Sequence, residues 1–137
     1  MINSARYRIS LRITHPSIAS GRISKELGLI PKFCYTSGDQ KLTPKGEVLP
    51  GIRKESFWTY ELVATDEPFE QTLEAFNSTL KDKEPFLNEI NQTGGRLEYF
   101  VGWFATGDSG FSLAPHLLSQ LVAIGIKLTI NVYVEKP

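Results

Sequence analysis

Hydrophobic and polar residues first alternate between positions 6 and 13. Tyr7, Ile9, Leu11 and Ile13 fall on one side, and Arg6, Arg8, Ser10 and Arg12 on the other. A period of two predicts a strand with one buried face. His15-Pro16-Ser17 ends it, because proline has no N–H to give to a sheet. A short helix over about 18–27 follows, with Ile23 and Leu27 on one face and Gly28 as a left-handed stop. Residues 56–65 alternate again: Trp58, Tyr60 and Leu62 inward, Phe57, Thr59 and Glu61 outward. Asp66 is placed to cap the next helix, with Pro68 in its first turn. Phe69, Leu73, Phe76 and Leu80 then form an amphipathic stripe. Pro85 interrupts it, and Phe86, Leu87 and Ile90 predict another turn or two before Gly94-Gly95.

The third long strand covers 96–105, with Leu97, Tyr99, Val101 and Trp103 on one face and Glu98, Phe100, Gly102 and Phe104 on the other. A glycine-containing loop, 106–110, leads to Ser112 as the cap of a helix. Leu117, Leu118, Leu121 and Val122 supply its apolar side, and Gly125 ends it. The last strand, 126–134, places Leu128, Ile130, Val132 and Val134 on one face and Lys127, Thr129, Asn131 and Tyr133 on the other. Residues 36–53, rich in Gly, Pro, Lys and Thr, predict a long loop with an embedded hairpin; loops of that length are often functional.

Strands alternating with helices first point to a parallel α/β sheet. Strands covered on both faces, however, read as continuous apolar runs, and every strand here has a polar side. The pattern therefore predicts one α+β domain over 1–137: a two-layer α/β sandwich, with helices on one face of a four- to five-stranded mixed or antiparallel sheet. An echo between Ile23-Ser24 with Leu27-Gly28-Leu29, and Leu113, Leu121 and Ile124-Gly125-Ile126, implies two β-α-β halves. That would give a ferredoxin-like topology with the Phe69 helix as an addition.

Composition adds boundaries. A chain of 137 residues can bury about two-thirds of its unfolded surface and needs no staples. Cys34 is the single cysteine, so no internal disulfide forms. The first residues carry arginines rather than an apolar run, from which no secretion signal, no membrane span and a cytoplasmic location are expected. In that setting the sequons at Asn77 and Asn91 are chance matches. The formal net charge is zero, yet residues 1–54 hold ten Lys/Arg against three Asp/Glu, and residues 55–137 five against twelve. Such asymmetry marks either an interaction surface or two halves that interleave and neutralise each other.

Several segments carry a family likeness: the first strand running into Thr14-His15-Pro16, then Ile23-Ser24 with Leu27-Gly28-Leu29-Ile30-Pro31, and Pro50-Gly51-Ile52-Arg53 approaching Ser56-Phe57-Trp58. The ending, Leu113 to Gly125 followed by Asn131-Val132-Tyr133, completes it. Together they resemble a bacterial family known as domain-of-unknown-function family 4279. The likeness spans nearly the whole chain and implies a shared fold and a bacterial origin, but no reaction. Asn131 stands where that pattern leads one to expect an acidic residue, so no role for a carboxylate carries over there.

Candidate chemistry is sparse. A zinc site needs three or four convergent ligands, and His15, His116 and Cys34 have no such spacing; no metal, cofactor or catalytic residue is assigned. Gly107-Asp108-Ser109-Gly110 copies the tetrapeptide around the nucleophile of trypsin-like proteases, but the chain is too short for that fold and a strand-to-helix turn explains it. The same loop is a candidate anion site at Ser109, Gly110 and Ser112. There, N–H groups of a helix start would face the ligand, although Pro115 removes one of them. No Walker lysine or dinucleotide glycine pattern accompanies it. Glu61 and Glu98 would be a carboxylate pair if their strands were adjacent; the plain alternative is cross-strand ion pairing with Arg8 and Arg12.

The open sheet face is the most informative prediction. It gathers Arg6, Arg8, Arg12, Phe57, Glu61, Glu98, Phe100, Phe104, Lys127, Thr129, Asn131 and Tyr133, and the binding residues expected are Arg8, Arg12, Phe57, Glu61, Glu98, Phe100, Asn131 and Tyr133. Aromatics beside arginines suit a protein interface. RNA-recognition sheets use similar ingredients, but the two glutamates, the neutral net charge and the missing RNP signature argue against nucleic acid. The sequence thus predicts a small non-enzymatic module that engages a protein partner, or a second copy of itself, through this face or through residues 36–53. An immunity or antitoxin-like role is one version by analogy. The alternatives are a small-molecule or anion-binding domain, and a loop 36–53 that folds over the face and hides the aromatics.

Overall fold

The computed structural model describes residues 6–105 and 107–134. The elements run β1 (Arg6–His15), α1 (Ser20–Leu27), β2 (Phe33–Tyr35), β3 (Gln40–Leu42), β4 (Val48–Ile52), β5 (Ser56–Glu61), α2 (Phe69–Leu80), α3 (Glu84–Gln92), β6 (Arg96–Ala105), α4 (Pro115–Ile124) and β7 (Ile126–Val134). A 3-10 turn, Lys81–Lys83, joins α2 to α3.

Five strands form a mixed sheet in the order β2-β5-β1-β6-β7, and β3 and β4 form a separate hairpin. Central β1 is antiparallel to β5 and β6, β2 is antiparallel to β5, and β6 and β7 are parallel. It follows that β1 and β2, joined through α1, are parallel and enclose β5. Likewise β5 and β6, joined through α2 and α3, are parallel and enclose β1. The echo seen in the sequence placed the halves differently, and the register corrects it. The α2–α3 crossover is integral to the interleaved order, and α4 with β7 is the addition, because β6 and β7 are direct neighbours. The sheet is not the all-parallel alternative, since the β1 pairings are antiparallel.

Alternation along the strands becomes the division between layers. Ile9, Leu11, Ile13, Trp58, Leu97, Tyr99 and Val101 are almost solvent-free. They form one core with Ile23 and Leu27 of α1, Phe69, Leu73 and Leu80 of α2, Phe86, Leu87 and Ile90 of α3, and Leu117, Leu121 and Ile124 of α4. Buried polar groups are satisfied inside this layer. Trp58 donates its indole N–H to Ser24 Oγ at 2.9 Å. The Tyr99 hydroxyl donates to Asn77 Oδ1 at 2.7 Å, and Asn77 Nδ2 donates to Gln120 Oε1 at 3.0 Å. Burial pushes the Tyr99 phenol far above its ordinary value.

Local chemistry moved several boundaries. α2 starts at Phe69 with Pro68 as its N-cap, and α4 starts at Pro115 with Ala114 as its N-cap; neither has a side-chain cap. Asp66 and Ser112 therefore lie outside the positions expected of them. β5 ends at Glu61 rather than Thr65. Leu118 and Val122, expected on the apolar side of α4, are exposed. The 36–53 segment does contain a hairpin. Its apolar side chains Leu42, Val48, Leu49 and Ile52 are exposed, while Arg53 at its end lies over Tyr35 of β2.

Candidate functional site

Residues opposite one another in neighbouring strands share a face, so the register maps the open surface row by row. One row runs Tyr35, Phe57, Thr14, Arg96, and the next Phe33, Thr59, Arg12, Glu98, Lys127. Then come Glu61, Ser10, Phe100, Thr129; next Arg8, Gly102, Asn131; and last Arg6, Phe104, Tyr133. The structure thus brings all eight expected binding residues onto one surface: Arg8, Arg12, Phe57, Glu61, Glu98, Phe100, Asn131 and Tyr133.

Aromatic rings and guanidinium groups are layered on each other there. The Arg12 guanidinium lies 3.9 Å from the centre of the Phe100 ring. Phe104 and Tyr133 stack at 5.0 Å with 13° between their planes. Phe33, Tyr35 and Phe57 form a third cluster, and Arg53 covers Tyr35 at 4.0 Å. Sequence reasoning missed Phe33, Tyr35 and Arg53. A three-residue strand is too short to show alternation, and its partner strand is what places it on the sheet.

Glu61 and Glu98 do not form a carboxylate pair. β1 runs between their strands, which overturns the neighbouring arrangement considered from sequence. Glu61 makes an ion pair with Lys32 at 3.1 Å. Glu98 accepts a hydrogen bond from the Thr129 hydroxyl at 2.5 Å. Among the described residues, Arg8, Arg12 and Lys127 make no ion pair, although the register sets Arg12 and Lys127 on either side of Glu98.

The expected anion site takes a different form. Ser109 Oγ accepts the Trp103 indole N–H at 3.1 Å. Gly110 and Ser112 are exposed and precede the helix start at Pro115. Ala114 is the N-cap of α4, so Ser112 and Leu113 lie before the helix start. Thr106, the first residue of that loop, lies outside the described residues.

The two histidines are far from equivalent. His15 is buried; its Nδ1 accepts the backbone N–H groups of Ser17 at 2.9 Å and Ile18 at 2.8 Å. With Nδ1 accepting, Nε2 carries the proton and donates to Thr93 Oγ1 at 2.6 Å. Burial holds the His15 pKa below its ordinary value of 6.5, against a weaker opposing pull from Glu89. His116 is exposed and sits 3.5 Å from Glu74. Among the described residues, no cluster of three or more His, Cys, Asp or Glu side chains could hold a metal ion, and no helix is long and apolar enough to cross a membrane.

The family described as Domain of unknown function (DUF4279) matches residues 5–135, nearly the whole chain, and the chain belongs to it. No curated protein matches, and no solved structure matches.

Proposed function

We propose that this member of the family is a non-enzymatic binding module whose open sheet face receives an acidic surface of a protein partner. The observation that carries the reading is the charge of that face. Arg8, Arg12, Arg96 and Lys127 stand against Glu61 and Glu98 on that face. Five strands at about 4.8 Å span roughly 24 Å, and ten residues at about 3.3 Å span roughly 33 Å. That rectangle is about 800 Å², the size of one side of a standard interface.

Three alternatives fit less well. RNA bases need free aromatic faces to stack on, but Arg12 already covers Phe100, and Phe104 and Tyr133 cover each other. A two-fold dimer through this face would set each positive surplus against its own copy. A toxin that cleaves nucleic acid presents a basic cleft to its substrate, so the immunity-like version suits only a target with an acidic surface. For the fold, the interleaved order β2-β5-β1-β6 supports a ferredoxin-like reading with α4 and β7 appended.

The test is capture from a lysate of cells that produce the protein, comparing wild type with Arg8→Glu/Arg12→Glu and with Glu70→Lys on the helical layer. The reading expects a stoichiometric acidic protein held by wild type and by Glu70→Lys, released by salt, and lost with the arginine reversal. Capture unchanged by the reversal, or capture of nuclease-sensitive material, would overturn it.

A further inference from the structure

We propose that a hollow at the Thr14–Arg96 end of the open face binds a small organic acid that also carries a hydrogen-bond donor, as an α-hydroxy or α-amino acid does. The site goes beyond partner docking and lies at the opposite end of the face from Arg8. The hollow measures about 350 Å³ and is lined by Arg12, Phe57, Arg96, Glu98 and Lys127, with Asn91 and Gly125 closing one side. That volume falls within the range of small-ligand pockets, about 300–1,000 Å³.

Charge selects the ligand class. Three cations and one carboxylate line the hollow, so an anionic group is favoured. Arg12 and Lys127 have no ion-pair partner among the described residues. Arg96 has Glu55 at 3.7 Å, a loose pair with an Arg96 side chain 71% exposed. All three cations project from adjacent strands of one sheet, whose register places them on the same face.

Glu98 narrows the choice further. Thr129 occupies Oε2, and no hydrogen bond reaches Oε1 among the described residues. A phosphate would be repelled by this carboxylate. A carboxylate ligand with an adjacent hydroxyl or ammonium group would give its negative end to the cations and its donor to Glu98. Phe57 provides the apolar wall for the rest of the molecule. Asn91 is already committed, since its Nδ2 donates to the carbonyls of Ile124 and Gly125; it shapes the wall.

NMR titration of the full chain tests this, with L-phenylalanine, L-phenyllactate, 3-phenylpropionate and inorganic phosphate as probes. The expected result is saturable shifts at Thr14, Arg96 and Lys127 with the first two, at least about tenfold tighter than with the donor-free acid or phosphate. Arg96→Gln and Lys127→Gln should each weaken binding by about tenfold or more, and Glu70→Gln, on the helical layer, should leave it unchanged. No saturable shift up to about 10 mM, equal affinity for phosphate or 3-phenylpropionate, or an Arg96→Gln variant that binds like wild type would overturn the proposal. Partner capture is read separately, with a protein ligand and the Arg8→Glu/Arg12→Glu variant, whereas the small-acid site is read at Arg96 and Lys127.

Discussion

Mild acid should destabilise this protein through one side chain, His15. In the native state its Nδ1 accepts two backbone N–H groups, so a proton there would set three donors against one another. The unfolded histidine meets no such obstacle and takes up its proton near 6.5, while the native pKa is lower. Well above 6.5 neither state is charged and His15 contributes no pH dependence. Below it the unfolded chain binds a proton that the native one refuses, and stability falls by about 1.4 kcal/mol per pH unit until the native pKa is reached. Between pH 6.5 and pH 5 wild type should lose stability, in the sense set by the lowered native pKa. Glu89, whose pKa is held below 4.5 by the Arg22 hydrogen bond, adds its own loss only at lower pH, so the window reports on His15. Urea unfolding of wild type and His15→Asn at pH 8, 6.5 and 5 reads the effect (the pH values are about those chosen to bracket the ordinary histidine pKa). The asparagine oxygen can accept local N–H groups as it does in turns, without titrating. The variant should be less stable at pH 8 and nearly flat between 6.5 and 5. Parallel pH dependence in the two proteins would refute the assignment.

Other side chains give equally direct outcomes. Thr14 Oγ1 is buried without a hydrogen-bond partner, so Thr14→Val should raise stability by about 1 kcal/mol in urea unfolding. Tyr99→Phe would leave Asn77 Oδ1 without its donor in the core and should cost about 1–3 kcal/mol; it should cost less in an Asn77→Leu background. A Cβ at Gly95 would come within 2.5 Å of Ile90 Cγ2 and 2.7 Å of the Thr14 carbonyl oxygen. Gly95→Ala should therefore lower the melting temperature through an overpacking cost of about 1–3 kcal/mol.

The layers were legible in the sequence because the signal for them is local. Alternation in β1, β5 and β6 told which side chains are buried, and it needs only two neighbours to be read. The partners of β1 were not legible, because nothing in Tyr7–Ile13 says which strand lies beside it. That is why Glu61 and Glu98 were considered as neighbours when β1 separates them. Helix starts failed for a related reason. Asp66 and Ser112 have the chemistry of caps, but Pro68 and Pro115 set where the helical backbone begins, since proline is well suited to a first turn. His15 was read as a strand terminator. Its burial depends on Thr93, distant in sequence, and on the turn it organises at Ser17 and Ile18.

The opposed charges of the two halves of the chain find two explanations in the fold. Part of the charge is neutralised across the halves, as Arg22–Glu89 and Lys32–Glu61 show. Another part is sorted by layer: β1 sends its arginines to the open face, while Glu70, Glu74, Glu84 and Glu89 belong to the helices. Arg12 illustrates why the face keeps its positive charge. Glu98 lies directly across the strand, yet the guanidinium covers Phe100, an arrangement worth only about 0.5–1 kcal/mol at an exposed site. Stability therefore gains little from these arginines. Reversing Arg8, which is exposed and has no ion-pair partner among the described residues, should leave the unfolding midpoint within error of wild type while abolishing salt-sensitive partner capture. A large loss of stability in Arg8→Glu would instead make the charge of this face structural, and the argument for a recognition surface would fail.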